Sequence, residues 1–285
     1  MPIPLPALLF RIAITAILLA GIILPLPADA LPIVTRITDD GAMKYALQIS
    51  SDGSTVAWTE TAPVPGSAYE YIIVKAAATN GSWVKEVCRF FSVPFGGDRI
   101  PPGVTRLQGP HYKAGDGNYI VYTAGSKLRL SADGSVLAFN LHEQFTGASQ
   151  PGFGVVHLKT GVARFVPLLV PPGMGTVGTG QDTVEVANNG TYFDLDADGG
   201  TLVYVVYARG QGPYNDSSAI IMLDLATMRP ARVLGYTGID PATREVRVDP
   251  QTPYAIVGAR FDLDGATLAF TSRMPGTRDP ARYLV

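Results

Sequence analysis

"LSADGSVLAF", Leu130–Phe139, places an Asp-Gly pair between two apolar runs. Asp-Gly in that setting is the strongest short hairpin signal, because the turn demands a positive φ that Gly adopts freely and Asp tolerates while bonding its own backbone. Three further segments superimpose on it: "ISSDGSTVAW" from Ile49, "LDADGGTLVY" from Leu195 and "FDLDGATLAF" from Phe261. The shared pattern runs apolar, Ser or Asp, any residue, Asp-Gly, two small or β-branched residues, aliphatic, Ala or Val, aromatic. Asp52 and Gly53, Asp133 and Gly134, Asp198 and Gly199, and Asp264 and Gly265 are therefore expected to form structural turns, recurring at intervals of 81, 65 and 66 residues. Recurrence at this scale marks a repeat architecture in which each unit is one small sheet.

Within a unit the strands can be followed. The third turn is followed by "TLVYVVYA", a polar loop, "AIIMLDLAT" and "ARVLGY", and the second by "SVLAFNL", a loop, "GVVHLKTG" and "ARFVPLL". Each unit thus offers four antiparallel strands, A to D, with the Asp-Gly turn joining A to B. "SADGSVLAF" followed by "VVHLKTGVARFV" resembles the TolB-like, or WD-like, β-propeller repeat of exported bacterial proteins. The units are longer than is usual for such blades, and Ser51, Ala132, Ala197 and Leu263 stand where that repeat carries Pro before Asp-Gly. The resemblance implies an all-β propeller acting as an interaction scaffold. The stretch "AGDGNYIVYTAG", Ala114 to Gly125, is an extra hairpin or the remnant of a fifth blade. After the last turn the chain ends with "ARYLV", one strand short of a blade, and Ile33 to Thr38 can supply the missing D strand. The expectation is four blades of four antiparallel strands, closed by pairing of the N-terminal strand with the C-terminal blade; a truncated larger propeller is the rival.

The bulk numbers agree with a loop-rich globular chain: 285 residues, 47% hydrophobic and only 16% charged, with 31 Gly and 23 Pro. Lys+Arg 22 against Asp+Glu 24 leaves a net charge of −2, so there is no electrostatic excess to hold nucleic acid or an anionic membrane. Residues 1–30 carry a single charge at Arg11 before an apolar run from Ile12 to Leu24, then end in Ala28-Asp29-Ala30. That is the pattern of a secretory signal peptide cleaved after Ala30, with an uncleaved membrane anchor as the alternative. Residues 31–285 are then one exported domain, periplasmic or secreted, with no membrane segment beyond the leader. A lone Cys88 cannot staple the domain internally; in "WVKEVCRFFSV" it reads as a small buried hydrophobe.

Reversal of direction at each strand sends A–B and C–D turns to one end of the sheets and B–C and D–A connections to the other. The B–C loops are long, "TAPVPGSA", "HEQFTGASQPG", "RGQGPYNDSS" and "RMPGTRDP", as are the D–A links Pro94 to Pro102, Pro171 to Asp182 and Gly235 to Pro253. Long loops on a rigid scaffold are where recognition evolves. His142, Glu143, Tyr207, Arg209, Tyr214, Asp216 and Arg273 are the candidate binding residues on that face, Arg and Tyr because they combine contact area with directional donors.

Other motifs are weaker. "DLDADGG", Asp194 to Gly200, spaces its carboxylates like a calcium loop, but Val205 stands where the bidentate acid belongs and Leu202 at the ninth position. "GMGTVG", Gly173 to Gly178, matches a dinucleotide fingerprint as a string, yet Pro171-Pro172 precede it and no helical pattern follows. There is no G-x-S-x-G elbow, and His111, His142 and His157 have no zinc-binding spacing. No metal, cofactor or catalytic residue is assigned. Asn80, Asn189 and Asn215 begin N-x-S/T triplets that matter only in a glycosylating host. The resulting reading is a non-catalytic scaffold for another envelope protein or a glycan. A small propeller lyase or glycosidase is the alternative, and would require His142, Arg209 and Asp216 to converge in a central funnel.

Overall fold

A computed structural model of the protein describes residues 37–38, 41, 43–63, 65, 70–92, 104–106, 112–114, 119–120, 127–142, 151–177, 183–186, 192–210, 217–248, 255–262, 267–273 and 280–284. They belong to one compact unit, 37–285; the leader assigned to 1–30 lies outside the described residues. No helix occurs among the described residues. Four sheets follow one another along the chain. The first contains β1 (Lys44–Ile49), β2 (Thr55–Pro63), β3 (Glu70–Ala78) and β4 (Val84–Ser92) as an antiparallel meander, extended by β5 (Val104–Arg106), β6 (Tyr112–Ala114) and β7 (Tyr119–Ile120). The second is β8 (Leu128–Leu130), β9 (Val136–His142), β10 (Pro151–His157) and β11 (Ala163–Pro167). The third joins β12 (Thr176–Val177), β13 (Thr183–Val186), β14 (Phe193–Leu195), β15 (Thr201–Ala208), β16 (Ser218–Asp224), β17 (Arg229–Ile239) and β18 (Val246–Val248). The fourth is β19 (Ala255–Phe261), β20 (Leu268–Arg273) and β21 (Pro280–Leu284). Pairing is antiparallel except for β4 with β7 and β12 with β13.

The repeated motif is explained by its bonds. Ser50 N–H donates to the Thr55 carbonyl at 2.9 Å and Gly53 N–H to the Ser50 carbonyl at 3.0 Å, so the A–B turn is a four-residue loop rather than a two-residue one. Only the glycine takes positive φ, +70° at Gly53, +66° at Gly134 and +73° at Gly199. Each Asp instead accepts the N–H two residues on: Ser54 to Asp52, Ser135 to Asp133 and Gly200 to Asp198, all at 2.9 Å. The "Ser or Asp" position supplies a side-chain oxygen to the first N–H of strand B. Thr55 N–H bonds Ser50 Oγ at 3.0 Å, Val136 N–H bonds Ser131 Oγ at 3.0 Å, Thr201 N–H bonds Asp196 Oδ1 at 2.9 Å and Thr267 N–H bonds Asp262 Oδ1 at 3.0 Å. Ser and Asp interchange there because either provides that acceptor. Asp264 and Gly265 lie outside the described residues, although Asp262 and Thr267 flank them with the bonds of the other turns.

The turns also bond one another. Asp52 N–H reaches the Ala132 carbonyl and Asp133 N–H the Ala197 carbonyl, both at 3.1 Å, so the first turn is tied to the second and the second to the third. The C–D turns join the same end: Thr79, Leu158 and Leu225 donate to the carbonyls of Ser54, Ser135 and Gly200 at 2.9, 2.8 and 2.9 Å. The first strands of consecutive units are neighbours, β1 beside β8, β8 beside β14 and β14 beside β19.

The core lies between the sheets. Period-two alternation sends Leu137, Phe139 and Val156 toward Ala57, Val74 and Ala76 of the first sheet, and Val136, Ala138, Phe153 and Val155 toward Leu202, Tyr204 and Val206 of the third. Val203, Val205 and Ile220 pack on Ile256, Leu268 and Phe270 of the fourth. Middle sheets are buried on both faces, which is why β15 is apolar almost throughout. An aromatic seam joins the second and third sheets, with Phe153 at 5.2 Å from Phe193 and 5.3 Å from Tyr204. The Tyr204 hydroxyl donates to the Leu169 carbonyl.

Three expectations need correction. The sheets are not closed among the described residues: β21 pairs only with β20 there, and Ile37 and Thr38 are not strand. Ile37 instead packs on Val56, Trp58 and Ala77, covering apolar surface of the first sheet. Among the described residues the sheets hold seven, four, seven and three strands in place of four per unit. Of the two readings of Ala114 to Gly125, the extra hairpin is the one seen among the described residues: β7 pairs with β6, which ends at Ala114, and with β4 of the first sheet. Finally, the link from Gly235 to Pro253 is mostly ordered structure: β17 runs on to Ile239 and pairs with β18. Its turn is fixed by Asp240, whose Oδ1 accepts Ala242 N–H at 2.9 Å and Thr243 N–H at 3.1 Å. Of the Gly173 to Gly178 string, residues 173–177 are described, a turn followed by two residues of strand, with Met174 buried and the Gly173 carbonyl accepting Ile239 N–H at 3.3 Å.

Candidate functional site

The repeat carries a position that the motif itself does not include. One residue ahead of its opening apolar residue stand Gln48, Arg129, Asp194 and Arg260. They lie on β1, β8, β14 and β19, the first strands of the four units, which neighbour one another in that order. The fold thereby gathers polar groups that are far apart in sequence. Half-buried Lys127, immediately before β8, adds a further cation; its backbone N–H is held by Asn140 Oδ1 at 2.8 Å.

Arg129 and Asp194 form the buried centre of this row. Arg129 is 5% exposed and Asp194 9%. Arg129 Nε lies 3.9 Å from Asp194 Oδ1, beyond hydrogen-bond reach, and makes no hydrogen bond. One terminal nitrogen donates to the Leu128 carbonyl at 2.6 Å, and the guanidinium sits 5.6 Å from the Phe193 ring centroid. Asp194 Oδ2 accepts Phe261 N–H at 3.1 Å, tying the third unit to the fourth. Arg260 is exposed. Burial foremost, and then Arg260 beside it, lower the Arg129 guanidinium to about 10 against the opposing pull of Asp194. Burial raises the Asp194 carboxyl against the pull of Arg260, Arg129 and the N–H groups of Leu195 and Phe261. Lys127 is lowered by burial, then by Arg129 and Arg260. Among the described residues two guanidinium groups, Arg260 and Arg129, act on the one Asp194 carboxylate, an arrangement suited to holding an anion.

The face expected from the sequence lies at the other end of the strands. His142 ends β9 opposite Pro151, Arg273 ends β20 opposite Ala255 and Pro280, and Arg209, exposed, follows the end of β15. These three share the ends of strands B remote from the Asp-Gly turns. Tyr207 is half-buried, its hydroxyl donating to the Ile256 carbonyl at 2.9 Å and its ring meeting Tyr192 edge-on at 6.4 Å. Glu143, Tyr214 and Asp216 lie outside the described residues, so the proposed meeting of His142, Arg209 and Asp216 does too. Among the described residues no group of three or more His, Cys, Asp or Glu gathers as metal ligands would. Asp196 and Asp198 of the calcium-like string are occupied by the turn.

The row of Gln48, Arg129, Asp194 and Arg260 was missed by sequence reasoning because the motif was aligned from its apolar residue onward. Extending the alignment by one residue would have exposed it.

No known protein family matches the sequence, and no curated protein matches it. Among solved structures the chain is similar to the apo AtxE2 isopeptidase, with 15% identity, a TM-score of 0.37, and coverage of 85% of this chain and 45% of that one. It is also similar to the β-propeller domain of the Trilobed protease from Pyrococcus furiosus, described as having an open velcro topology, with 11% identity, a TM-score of 0.39, and coverage of 86% and 68%. A third likeness is to the Dos1 propeller, with 9% identity, a TM-score of 0.32, and coverage of 80% and 42%. The chain spans less than half the length of the isopeptidase it matches.

Proposed function

We propose that the chain is an exported four-bladed β-propeller of the TolB-like kind, acting as a non-catalytic scaffold that binds an envelope protein or a glycan. The observation that carries this reading is the linkage of the short turns at one end of the sheets, Asp52 to Ala132 and Asp133 to Ala197, with the C–D turns bonded onto them. That end is consumed in holding the units together. The long B–C connections leave from the opposite end, where His142, Arg209 and Arg273 stand, and connections of that kind are where recognition evolves on a rigid scaffold. Residues 1–30 serve as the leader in this reading, delivering the protein to the periplasm or the medium.

The test is capture with the full exported chain as bait against its native envelope, alongside an array of envelope glycans. A specific partner should be retained, and a His142→Ala/Arg209→Ala/Arg273→Ala variant with an unchanged melting temperature should lose it. Retention by that variant would place recognition elsewhere. Turnover of a polysaccharide by the purified chain would replace the scaffold with the lyase or glycosidase alternative.

A further inference from the structure

The cluster on the first strands is the feature the scaffold reading leaves unused. Arg129 is a buried guanidinium whose Nε has no hydrogen-bond partner and whose nearest carboxylate oxygen is 3.9 Å away. Asp194 is partly committed elsewhere, through its bond from Phe261 N–H at 3.1 Å. Lys127 and Arg260 bring two more positive charges to the same place. A buried charge is costly unless it is paired and hydrogen-bonded, and like charges beside it add to that cost. An oxyanion joining the cluster removes both penalties, and planar guanidinium groups match carboxylate and phosphate oxygens better than any other donor.

We infer that Arg129, Arg260 and Lys127 form a binding site for an oxyanion group of a ligand, a carboxylate or a phosphate, with Asp194 as the fixed counter-charge that positions Arg129. Exposed Arg260 and half-buried Lys127 are the groups that an incoming anion meets first. The inference rests on the scaffold reading only in that the ligand is held and not turned over.

Titration calorimetry of the full chain at low ionic strength tests it, with sodium succinate and inorganic phosphate as probes and glucose as the uncharged control. Saturable binding of one anion, and none of glucose, is expected; the preferred anion identifies the carboxylate or phosphate source. Arg260→Gln and Lys127→Gln should each weaken that binding at least tenfold with the melting temperature unchanged, and the bound anion should raise the melting temperature of the unaltered protein. Absence of saturable binding for both anions overturns the inference, as does an affinity the same in both variants as in the parent. An Arg260→Gln protein that melts earlier, from a parent that binds neither anion, would show the cluster to be a structural tie only. Retention of an envelope partner by that variant would then leave the scaffold reading standing while this inference fails.

Discussion

Three glycines in one sequence motif should differ sharply in what they tolerate. Gly53, Gly134 and Gly199 share the same turn and nearly the same φ. A Cβ on Gly53 meets nothing within 4 Å, whereas on Gly134 it would lie 2.5 Å from Thr55 Oγ1 and 2.7 Å from Thr55 Cβ, and on Gly199 2.5 Å from Val136 Cγ2. Both neighbours are the first residue of strand B in the preceding unit. Gly53→Ala carries only the left-handed strain of an L-residue, about 1–2 kcal/mol. Gly134→Ala and Gly199→Ala add overpacking between units, about 1–3 kcal/mol more. For a domain of this size each kcal/mol lowers the melting temperature by about 2–4 °C. Urea denaturation followed through buried Trp58 should therefore show a modest midpoint shift for Gly53→Ala and one about twice as large for the other two, at constant slope. Combining Gly199→Ala with Val136→Ala should recover part of the loss, giving a non-zero coupling. Equal losses at all three glycines would refute the claim that these turns are packed against the preceding unit.

Glu60 is 5% exposed and ion-paired with Lys44 at 3.0 Å and with Lys75, and accepts Trp58 Nε1–H at 3.2 Å. Burial pushes its carboxyl up most strongly, but the bonds from Lys75, Lys44 and Trp58 together hold it below the ordinary 4.5. With the folded value below the unfolded one, the network's contribution is present above 4.5 and lost as pH falls through the folded value. Thermal melts between neutral and acid pH should accordingly show a shallower acid loss for Glu60→Gln than for the parent. Tyr207→Phe deletes the bond to the buried Ile256 carbonyl and should cost about 1 kcal/mol in chemical denaturation, whether or not the variant still captures a partner. Burial pushes the Cys88 thiol up, with Glu86 adding to the effect; a thiol reagent at neutral pH should label it slowly in the native protein and fully once urea unfolds the chain.

The strand-turn-strand units were legible because their determinants are local. In "SSDGST" the bonds among Ser50, Asp52, Gly53, Ser54 and Thr55 span at most five residues, so the turn can be read without knowing its neighbours. Strands β15 and β16 were legible for a related reason: both faces are buried, and their apolar runs have no competing pattern. The far half of β17 was not. Gly235 and Asp240 resemble loop residues in isolation, yet Gly235 approaches the β16 backbone closely and β18 pairs back onto the strand. Closure of the sheets was not legible either, and among the described residues they are not closed. Ile33 to Thr38 has strand composition, but of its two described residues neither is strand and Ile37 packs on Trp58.

By itself the sequence determined where the chain turns, that it is built of strands, and which residues anchor each Asp-Gly loop, since these depend on backbone bonds a few residues long. Tertiary structure decided which unit touches which, why Gly134 and Gly199 meet a neighbour while Gly53 does not, and that Arg129, Asp194 and Arg260 share one place. Those outcomes depend on contacts between residues 63 or more positions apart, the separation of Val136 and Gly199. Hydrophobic burial between sheets sets such contacts, and a repeated motif, being the same in every unit, cannot specify its own neighbour.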